Sequence, residues 1–243
     1  MMESAPNETL ARDALALLSH VARSYAPAVL ATAFQAEGMV LIDLIATAGL
    51  PIRVATVDTG RLPEETHALM HTVRKRYGIP IDVHAPNTHS IESFVAAHGP
   101  NPFYASVGMR KACCAVRKTE PMTRALAGKR AWISGLRRGQ AATRSEVPVE
   151  EYDSVHGLHK FNPLAQWSEQ EVWAYIRAHH VPYNALHDRG YPSIGCAPCT
   201  RAIEPGEDIR AGRWWWESSE HKECGIHRRP LTIPVVPLKD KAA

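Results

Sequence analysis

Cysteine is the residue type in this chain whose spacing best indicates chemistry. Its five copies divide into two pairs and one single residue. The pairs are Cys113 with Cys114 and Cys196 with Cys199, and the single residue is Cys224. Four thiolates are the usual ligand set of a tetrahedral zinc ion or an iron–sulfur cluster. The fifth thiol has cationic neighbours, which favour the nucleophilic thiolate: Lys222, His227, Arg228 and Arg229. The pattern predicts a metal site and a reactive Cys224.

The spacing within each pair indicates which metal group to expect. Cys196 and Cys199 have the C-x2-C spacing that is common at zinc sites. Cys113 and Cys114 are adjacent, and neighbouring cysteines seldom reach one small ion together without strain, whereas a larger cluster offers separate iron corners. We therefore expect an iron–sulfur cluster, with zinc as the alternative. The long separation of the two pairs means that the fold must bring them together.

Composition excludes several broad classes of protein. The 243 residues are 45% hydrophobic and 22% charged, which predicts one globular domain over 1–243. A disulfide scaffold is disfavoured by the low cysteine content and by an N-terminal sequence without an apolar signal region. The longest apolar run, 39–48, is broken by Asp43 and is too short to span a bilayer. With a net charge of only +3, we expect no nucleic-acid partner, no membrane and a cytoplasmic location.

A basic segment points to an anionic ligand. The stretch 121–145 contains no acidic residue and six cationic ones: Arg124, Lys129, Arg130, Arg137, Arg138 and Arg144. A solvated face is the simplest interpretation of such a run. However, a short strand is predicted to end at Gly135, so Arg137 and Arg138 would emerge at the sheet edge where α/β proteins bind ligands. Because arginine makes forked contacts with phosphate or sulfate, we expect a small anion there.

Short apolar runs alternate with helical patterns in the first half of the chain. This alternation predicts an α/β fold with a mostly parallel twisted sheet and helices on both faces. We expect strands at 28–32, 53–57, 79–84, 132–134 and 158–162, and helices at 37–48, from Pro63, at 88–98 and at 169–179. Ser168 and Glu171 form a capping-box pattern at the start of the last helix. An N-terminal helical segment of about 1–25 and a loop-rich C-terminal arm of about 200–243, carrying Cys224, complete the domain.

Six motifs in order carry a family resemblance. They lie at 57–61, 113–118, 160–164, 195–200, 212–217 and 222–227. Together they resemble the assimilatory, thioredoxin-dependent adenylyl-sulfate (APS) reductases of the phosphoadenylyl-sulfate reductase family, over roughly 28–227. Each motif alone is weak, but their ordered conjunction is highly specific.

The resemblance implies a fold, a reaction and a cofactor. The fold would be that of the PP-loop, or nucleotide α-hydrolase-like, proteins. The reaction would be reduction of adenosine 5′-phosphosulfate to sulfite and AMP, in the assimilation of sulfate that leads to cysteine. Cys224 would carry an S-sulfocysteine intermediate, and reduced thioredoxin or glutaredoxin would release sulfite. One [4Fe-4S] cluster per chain would be held by Cys113, Cys114, Cys196 and Cys199. Relatives that use the 3′-phosphorylated substrate generally lack these four cysteines.

The resemblance also implies substrate contacts. By motif match they are Lys118, Arg137, Arg138, Arg210, Arg213 and His227, with Thr32 and Val57 near the nucleotide and Arg144 as a weaker candidate. The phosphate loop departs from the family pattern, because Phe34 and Gln35 stand where relatives carry small residues. Backbone amides at a helix N-terminus can still receive an anion there.

Three other functions remain open on sequence alone. An iron–sulfur PP-loop enzyme of tRNA thiolation would need ATP, magnesium and a Ser-Gly-Gly-type loop, which is not evident. A reductase of the 3′-phosphorylated substrate would share the fold. A zinc-stabilised binding module would leave Cys224 as an idle surface thiol. The oligomeric state is open, with a homo-oligomer as one outcome.

Overall fold

A computed structural model describes residues 6–141 and 144–218 of the chain, so Cys224 and His227 lie outside the described residues. The strands are β1 (Ala28–Ala31), β2 (Arg53–Val57), β3 (Ile81–His84), β4 (Ala131–Ile133), β5 (Glu150–Asp153) and β6 (Leu158–Phe161). The helices are α1 (Pro6–Ser24), α2 (Ala36–Thr47), α3 (Glu64–Tyr77), α4 (Thr88–His98), α5 (Val107–Cys114), α6 (Glu120–Leu126) and α7 (Glu169–Ala178).

The strands form one sheet in the order β3-β2-β1-β4-β6-β5. Neighbours from β3 to β6 run parallel, and β5 alone pairs antiparallel with β6. The predicted mostly parallel α/β sheet is therefore confirmed. The edge strand β5 was not predicted, because its sequence Glu-Glu-Tyr-Asp offers no apolar run and its place in the sheet comes from backbone pairing.

Helices cover both faces of the sheet. On one face, α2 contributes a nearly continuous buried stretch, and α1 and α7 pack against it through Leu18, Val21 and Ile176. On the other face, Met122 and Leu126 of α6 pack on Trp132 in a smaller apolar cluster. Helix α1 thus belongs to the core of the body. No helix among the described ranges is long and apolar enough to cross a membrane.

A helical stretch that the sequence did not predict carries the first cysteine pair. Helix α5 begins after Ser106, whose hydroxyl accepts the Met109 amide, and it continues through a π-helical turn, Ala115–Thr119, into α6. Such wide turns occur often at functional sites. Cys113 and Cys114 end α5, and Lys118 lies in the π turn.

The structure shows how three of the predicted helices begin. The capping box of Ser168 and Glu171 is present at the start of α7. At α4 the cap is Asn87, whose side chain accepts a hydrogen bond from the Ser90 amide, and the helix has its predicted bounds, Thr88–His98. Pro63 directly precedes α3 in extended conformation and does not occupy its first turn.

Candidate active site

The carboxyl ends of three neighbouring strands open into a cavity of about 220 Å³. Thr32 follows β1, Val57 ends β2, Gly135 follows β4, and all three line this cavity together with the N-terminus of α2. Ligands of open α/β sheets bind at this edge, where the connections diverge to the two faces. The topology thus places the cavity where the sequence predicted an anion site.

Five cationic side chains line the cavity: Lys118, Arg137, Arg144, Arg210 and Arg213. They come from the π turn, from the loop after β4 and from the described part of the C-terminal arm. Glu37 and Glu169 are the carboxylates in the same lining. Of the eight side chains predicted to bind substrate, six thus meet here, including Thr32 and Val57.

Arg138 does not line the cavity. Its side chain is exposed, and its Nε donates to the carbonyl of Val147 at 3.0 Å. The neighbouring Arg137 is buried instead: its Nε donates to Glu37 Oε1 at 2.8 Å and its Nη1 to the carbonyl of Trp167. Arg137 is extended and Arg138 begins a one-turn 3₁₀-helix, so the two side chains leave the backbone in different directions and only Arg137 enters the cavity. His227 and Cys224 lie outside the described residues.

Arg213 is held in a buried position with donor capacity left over. Its Nη1 donates to Ser193 Oγ at 3.3 Å and to the carbonyl of Ile194 at 3.1 Å, whereas its Nε is buried without a hydrogen-bond partner. The main chain passes so close that a side chain at Gly195 would place its Cβ 2.4 Å from this guanidinium. Gly195 is therefore required by the placement of Arg213.

The unusual phosphate loop keeps its bulky residues out of the space above α2. Phe34 adopts a left-handed conformation (φ 55°) and is buried in the core, and Gln35 Oε1 accepts the Ile194 amide at 3.0 Å. A Cβ atom added at Gly38 would lie 2.1 Å from Thr32 Oγ1, which is too close for any side chain there. The close approach at this helix N-terminus thus needs a small residue at Gly38, and the departures at Phe34 and Gln35 do not obstruct it.

A second, smaller cavity is lined by all four paired cysteines. Cys113 and Cys114 at the end of α5 and Cys196 and Cys199 near a one-turn helix share a buried cluster with Phe103 and Trp214. The fold therefore brings the two distant pairs together. Within 6–141 and 144–218, no three His, Cys, Asp or Glu side chains form a group suited to a single metal ion.

Charged neighbours act unequally on these thiols. Burial raises the pKa of Cys113, and it raises the pKa of Cys199 to about 12. Burial acts in the same direction on Cys196, but the charge of Lys118 and the Thr59 hydroxyl, 3.2 Å from Cys196 Sγ, outweigh it and lower the pKa of this thiol. Thiolate character is therefore favoured at Cys196, next to Lys118, over Cys113 and Cys199.

Lys118 and Trp214 line both cavities, so the cysteines and the basic cavity are direct neighbours. Arg110 and Arg117 also line the cysteine cavity, and the sequence analysis did not single them out. Both lie three or four residues from a cysteine, a spacing that places side chains on one face of a helix. A helix prediction at 107–126 would have identified them.

The architecture defines the class first: an α/β protein with the PP-loop fold. Two solved structures share the fold. The phosphoadenylyl-sulfate (PAPS) reductase of Candida auris superposes with a TM-score of 0.68 at 27% identity, over 83% of this chain and 99% of that one. Yeast FAD synthetase gives 0.53 at 12% identity, over 83% and 70%, a likeness of fold alone.

The sequence comparisons show the family. The phosphoadenosine phosphosulfate reductase domain matches residues 27–202, and the chain belongs to this family. The adenosine 5′-phosphosulfate reductase of Allochromatium vinosum is 57% identical over 216 residues, 89% of this chain and 84% of that protein. The protein of the same name from Burkholderia cepacia is 50% identical over 217 residues, 89% and 87%. The domain match ends before Arg210, Arg213 and Cys224.

Proposed function

We propose that this protein is an oxidoreductase that reduces adenosine 5′-phosphosulfate to sulfite and AMP in sulfate assimilation. One observation carries the proposal: a cavity lined by five cationic side chains adjoins four clustered cysteines, with Lys118 in the lining of both. The relatives named adenosine 5′-phosphosulfate reductase support the same reaction.

The cavity suits a nucleotide with an anionic tail. Val57 and Ala55 provide apolar surface at the end of β2, where the adenine would lie. The amides at the start of α2 would receive the phosphate, since the N-terminus of a helix attracts anions. Lys118, Arg210 and Arg213 would contact the sulfate, and the Arg213 Nε, buried without a partner, would gain an acceptor.

Cys224 would supply the nucleophile. Its thiolate attacks the sulfur of the phosphosulfate, the bond from sulfur to the bridging oxygen breaks, and AMP leaves with that electron pair. The product is an S-sulfocysteine, so one difficult reduction becomes two displacements. An anion attacks an anionic group here, and cations already fixed in the cavity, such as buried Arg137 and Arg213, offset the repulsion.

A dithiol protein of the thioredoxin or glutaredoxin type would complete the reaction. Its thiolate attacks the sulfur of Cys224, sulfite leaves, and the resulting mixed disulfide is resolved by the second thiol of the reductant. Both electrons come from that dithiol. A cytoplasmic location fits this chemistry, because that compartment keeps thiols reduced.

Cys113, Cys114, Cys196 and Cys199 would hold a [4Fe-4S] cluster. All four thiols line one cavity, and Arg117, Lys118 and the Thr59 hydroxyl provide positive charge and hydrogen bonding near the sulfurs. When bound, the cluster would supply fixed charge beside the anion site. We expect about four iron and about four acid-labile sulfide per chain after anaerobic purification. Zinc at about one per chain without sulfide would contradict this assignment.

The test of the function is a two-stage assay. Incubation with adenosine 5′-phosphosulfate and no reductant should add about 80 Da to the Cys224 peptide, as covalent catalysis requires, and thioredoxin should then release sulfite. Cys224→Ser is the matched control: it should retain visible cluster absorbance and AMP binding but release no sulfite. Turnover by this variant, or an adduct on another residue, would refute the mechanism. ATP turnover would favour the thiolation enzyme, and faster sulfite release from the 3′-phosphorylated substrate would favour the other reductase.

A further inference from the structure

A buried ion pair joins the helix of the first cysteine pair to the end of the described chain. Arg110 Nε lies 3.0 Å from Glu217 Oε1 and its Nη2 lies 2.7 Å from Oε2, so the contact is bidentate. The two side chains are 0% and 3% exposed. Burial opposes the charge of Arg110, but the hydrogen bonds that it donates to Glu217, together with the negative charge of that carboxylate, prevail and raise the pKa of the guanidinium.

Stability alone does not account for such a pair. Removing two charged groups from water costs hydration that their attraction only partly recovers, and well-packed apolar residues often stabilise a protein as well. A bidentate pair does, however, fix the distance and orientation of the two segments that carry it. The position of these segments is therefore the property to explain.

The pair links the helix of the first cysteine pair to a residue that precedes Cys224 in the sequence. Arg110 is three residues before Cys113, and its charge interacts with Cys114. Glu217 is the next-to-last described residue, its amide donates to the carbonyl of Trp214 at 2.8 Å, and it precedes Cys224 by seven residues. The C-terminal arm is thus attached at Glu217 to α5 through buried charge.

Trp214 connects this pair to the basic cavity. Its ring lies 4.5 Å from the guanidinium carbon of Arg110 and 4.7 Å from that of Arg213, distances at which a cation is attracted to an aromatic face. Trp214 is buried, adopts a left-handed backbone (φ 41°) and donates its amide to the carbonyl of Cys199 at 3.1 Å. A bulky residue persists in this conformation only when its surroundings hold it.

We infer that Arg110 and Glu217 are positioning residues for transfer of the sulfo group to Cys224. The pair fixes the segment 213–217, so that Trp214 holds Arg213 against the cavity and the arm leaves the body beside the cysteine cluster. The inference rests on the proposed function, because it assigns these residues to the first displacement. Neither residue contacts the basic cavity directly, since neither is in its lining.

The decisive variant is Glu217→Gln, which retains size and one acceptor but removes the charge. We expect the Cys224 adduct to form at least about tenfold more slowly at saturating adenosine 5′-phosphosulfate, per cluster-containing chain, because Arg213 is displaced. AMP affinity should change less than about threefold, since the helix N-terminus and Val57 are untouched. Glu217→Asp keeps the charge on a shorter side chain and should recover part of the rate.

The matched control is Glu120→Gln. Glu120 forms a bidentate pair with Arg124 on α6, at 2.6 Å and 3.1 Å, but the two side chains are 44% and 46% exposed. Exposed pairs contribute little, so the adduct should form within about twofold of the wild-type rate. An equal loss in this control would mean that charge removal, and not position, slows the reaction, and would overturn the inference.

Hydrogen exchange separates the inference from the proposed function. In Glu217→Gln the amides of Trp214 and Glu217 should exchange at least about tenfold faster, while those of β1 stay unchanged. Wild-type adduct rate and wild-type exchange together would refute the positioning role. A variant that has fewer folded chains but a normal rate per cluster-containing chain would also refute it, as a purely structural role. If the wild-type protein forms no adduct at all, the proposed function fails. The exchange rates then show by themselves whether the pair of Arg110 and Glu217 fixes the segment 213–217 to α5.

Discussion

Different interactions stabilise the two regions of the protein, the α/β body and the segment 184–217. The body buries an apolar core on both sheet faces, and its buried Asp43 accepts hydrogen bonds from the uncharged hydroxyls of Tyr77 and Tyr175, at 2.7 and 2.8 Å. The segment 184–217 has helices of one turn only, and its buried Glu217 is bound by the charged Arg110. Tyrosine hydroxyls that donate to Asp43 connect three helices of the body, α2, α3 and α7. Around the cavities, the donors are charged side chains such as Arg110. Substitution of Asp43 should therefore change stability, and substitution of the charged side chains that line the cavity should change catalysis.

The largest effect is expected in the segment, at Arg213. Arg213→Ala should lower kcat/KM for adenosine 5′-phosphosulfate by about ten- to a thousandfold, or roughly 1.4 to 4 kcal/mol of lost charge-assisted contact. Sulfite release measures this directly. Arg138→Ala is the matched control, because the exposed Arg138 binds the carbonyl of Val147 outside the cavity, and it should stay near the wild-type value. Equal losses in both variants would contradict the assignment of Arg213, and not Arg138, to the substrate-binding cavity.

A smaller effect, of the opposite kind, is expected in the body. Asp43→Asn leaves one acceptor oxygen for two tyrosine hydroxyls, the buried one of Tyr175 and the half-buried one of Tyr77, so we expect a loss of about 1 to 3 kcal/mol in the free energy of unfolding. Burial and the hydrogen bonds to Asp43 raise the pKa of both Tyr77 and Tyr175, so neither hydroxyl ionises to relieve the site. Urea unfolding measures the loss, and kcat of the folded variant should stay within about twofold. A large fall in kcat at full folding would break the division between the regions.

The smallest effect concerns pH and His187. Its Nδ1 donates to the carbonyl of Tyr191 at 2.8 Å, its Nε2 is buried without a partner, and burial lowers the pKa of the ring despite Glu37, Asp188 and Glu169 nearby. As pH falls through the unfolded value of about 6.5, the unfolded chain takes up a proton that the folded chain does not, so stability falls. His187→Gln should therefore lose less stability than wild type between pH 7 and pH 5. Identical slopes would show that this ring is solvated.

Particular elements show where sequence reasoning reached its limit. Strand β2 was predicted at its observed bounds, because three of its five residues, Val54, Thr56 and Val57, are β-branched and its centre is apolar enough to be buried. Strand β5 was missed because its pairing comes from a neighbouring backbone. The helix that carries Cys113 was missed because its short α and π turns are stabilised by the cysteine cluster and by Arg110, contacts that do not exist in a local window.

The sequence alone determined the fold class, the division of the cysteines and most of the cationic side chains that line the cavity. Each of these follows from residue type and local spacing, and both can be read from the sequence without knowledge of long-range contacts. The tertiary structure decided that Arg137 enters the cavity while Arg138 faces solvent, and that Arg110 and Glu217 form a buried pair across 107 positions. These outcomes depend on the direction of each side chain relative to elements far away in the chain, and direction is fixed by packing rather than by composition or spacing.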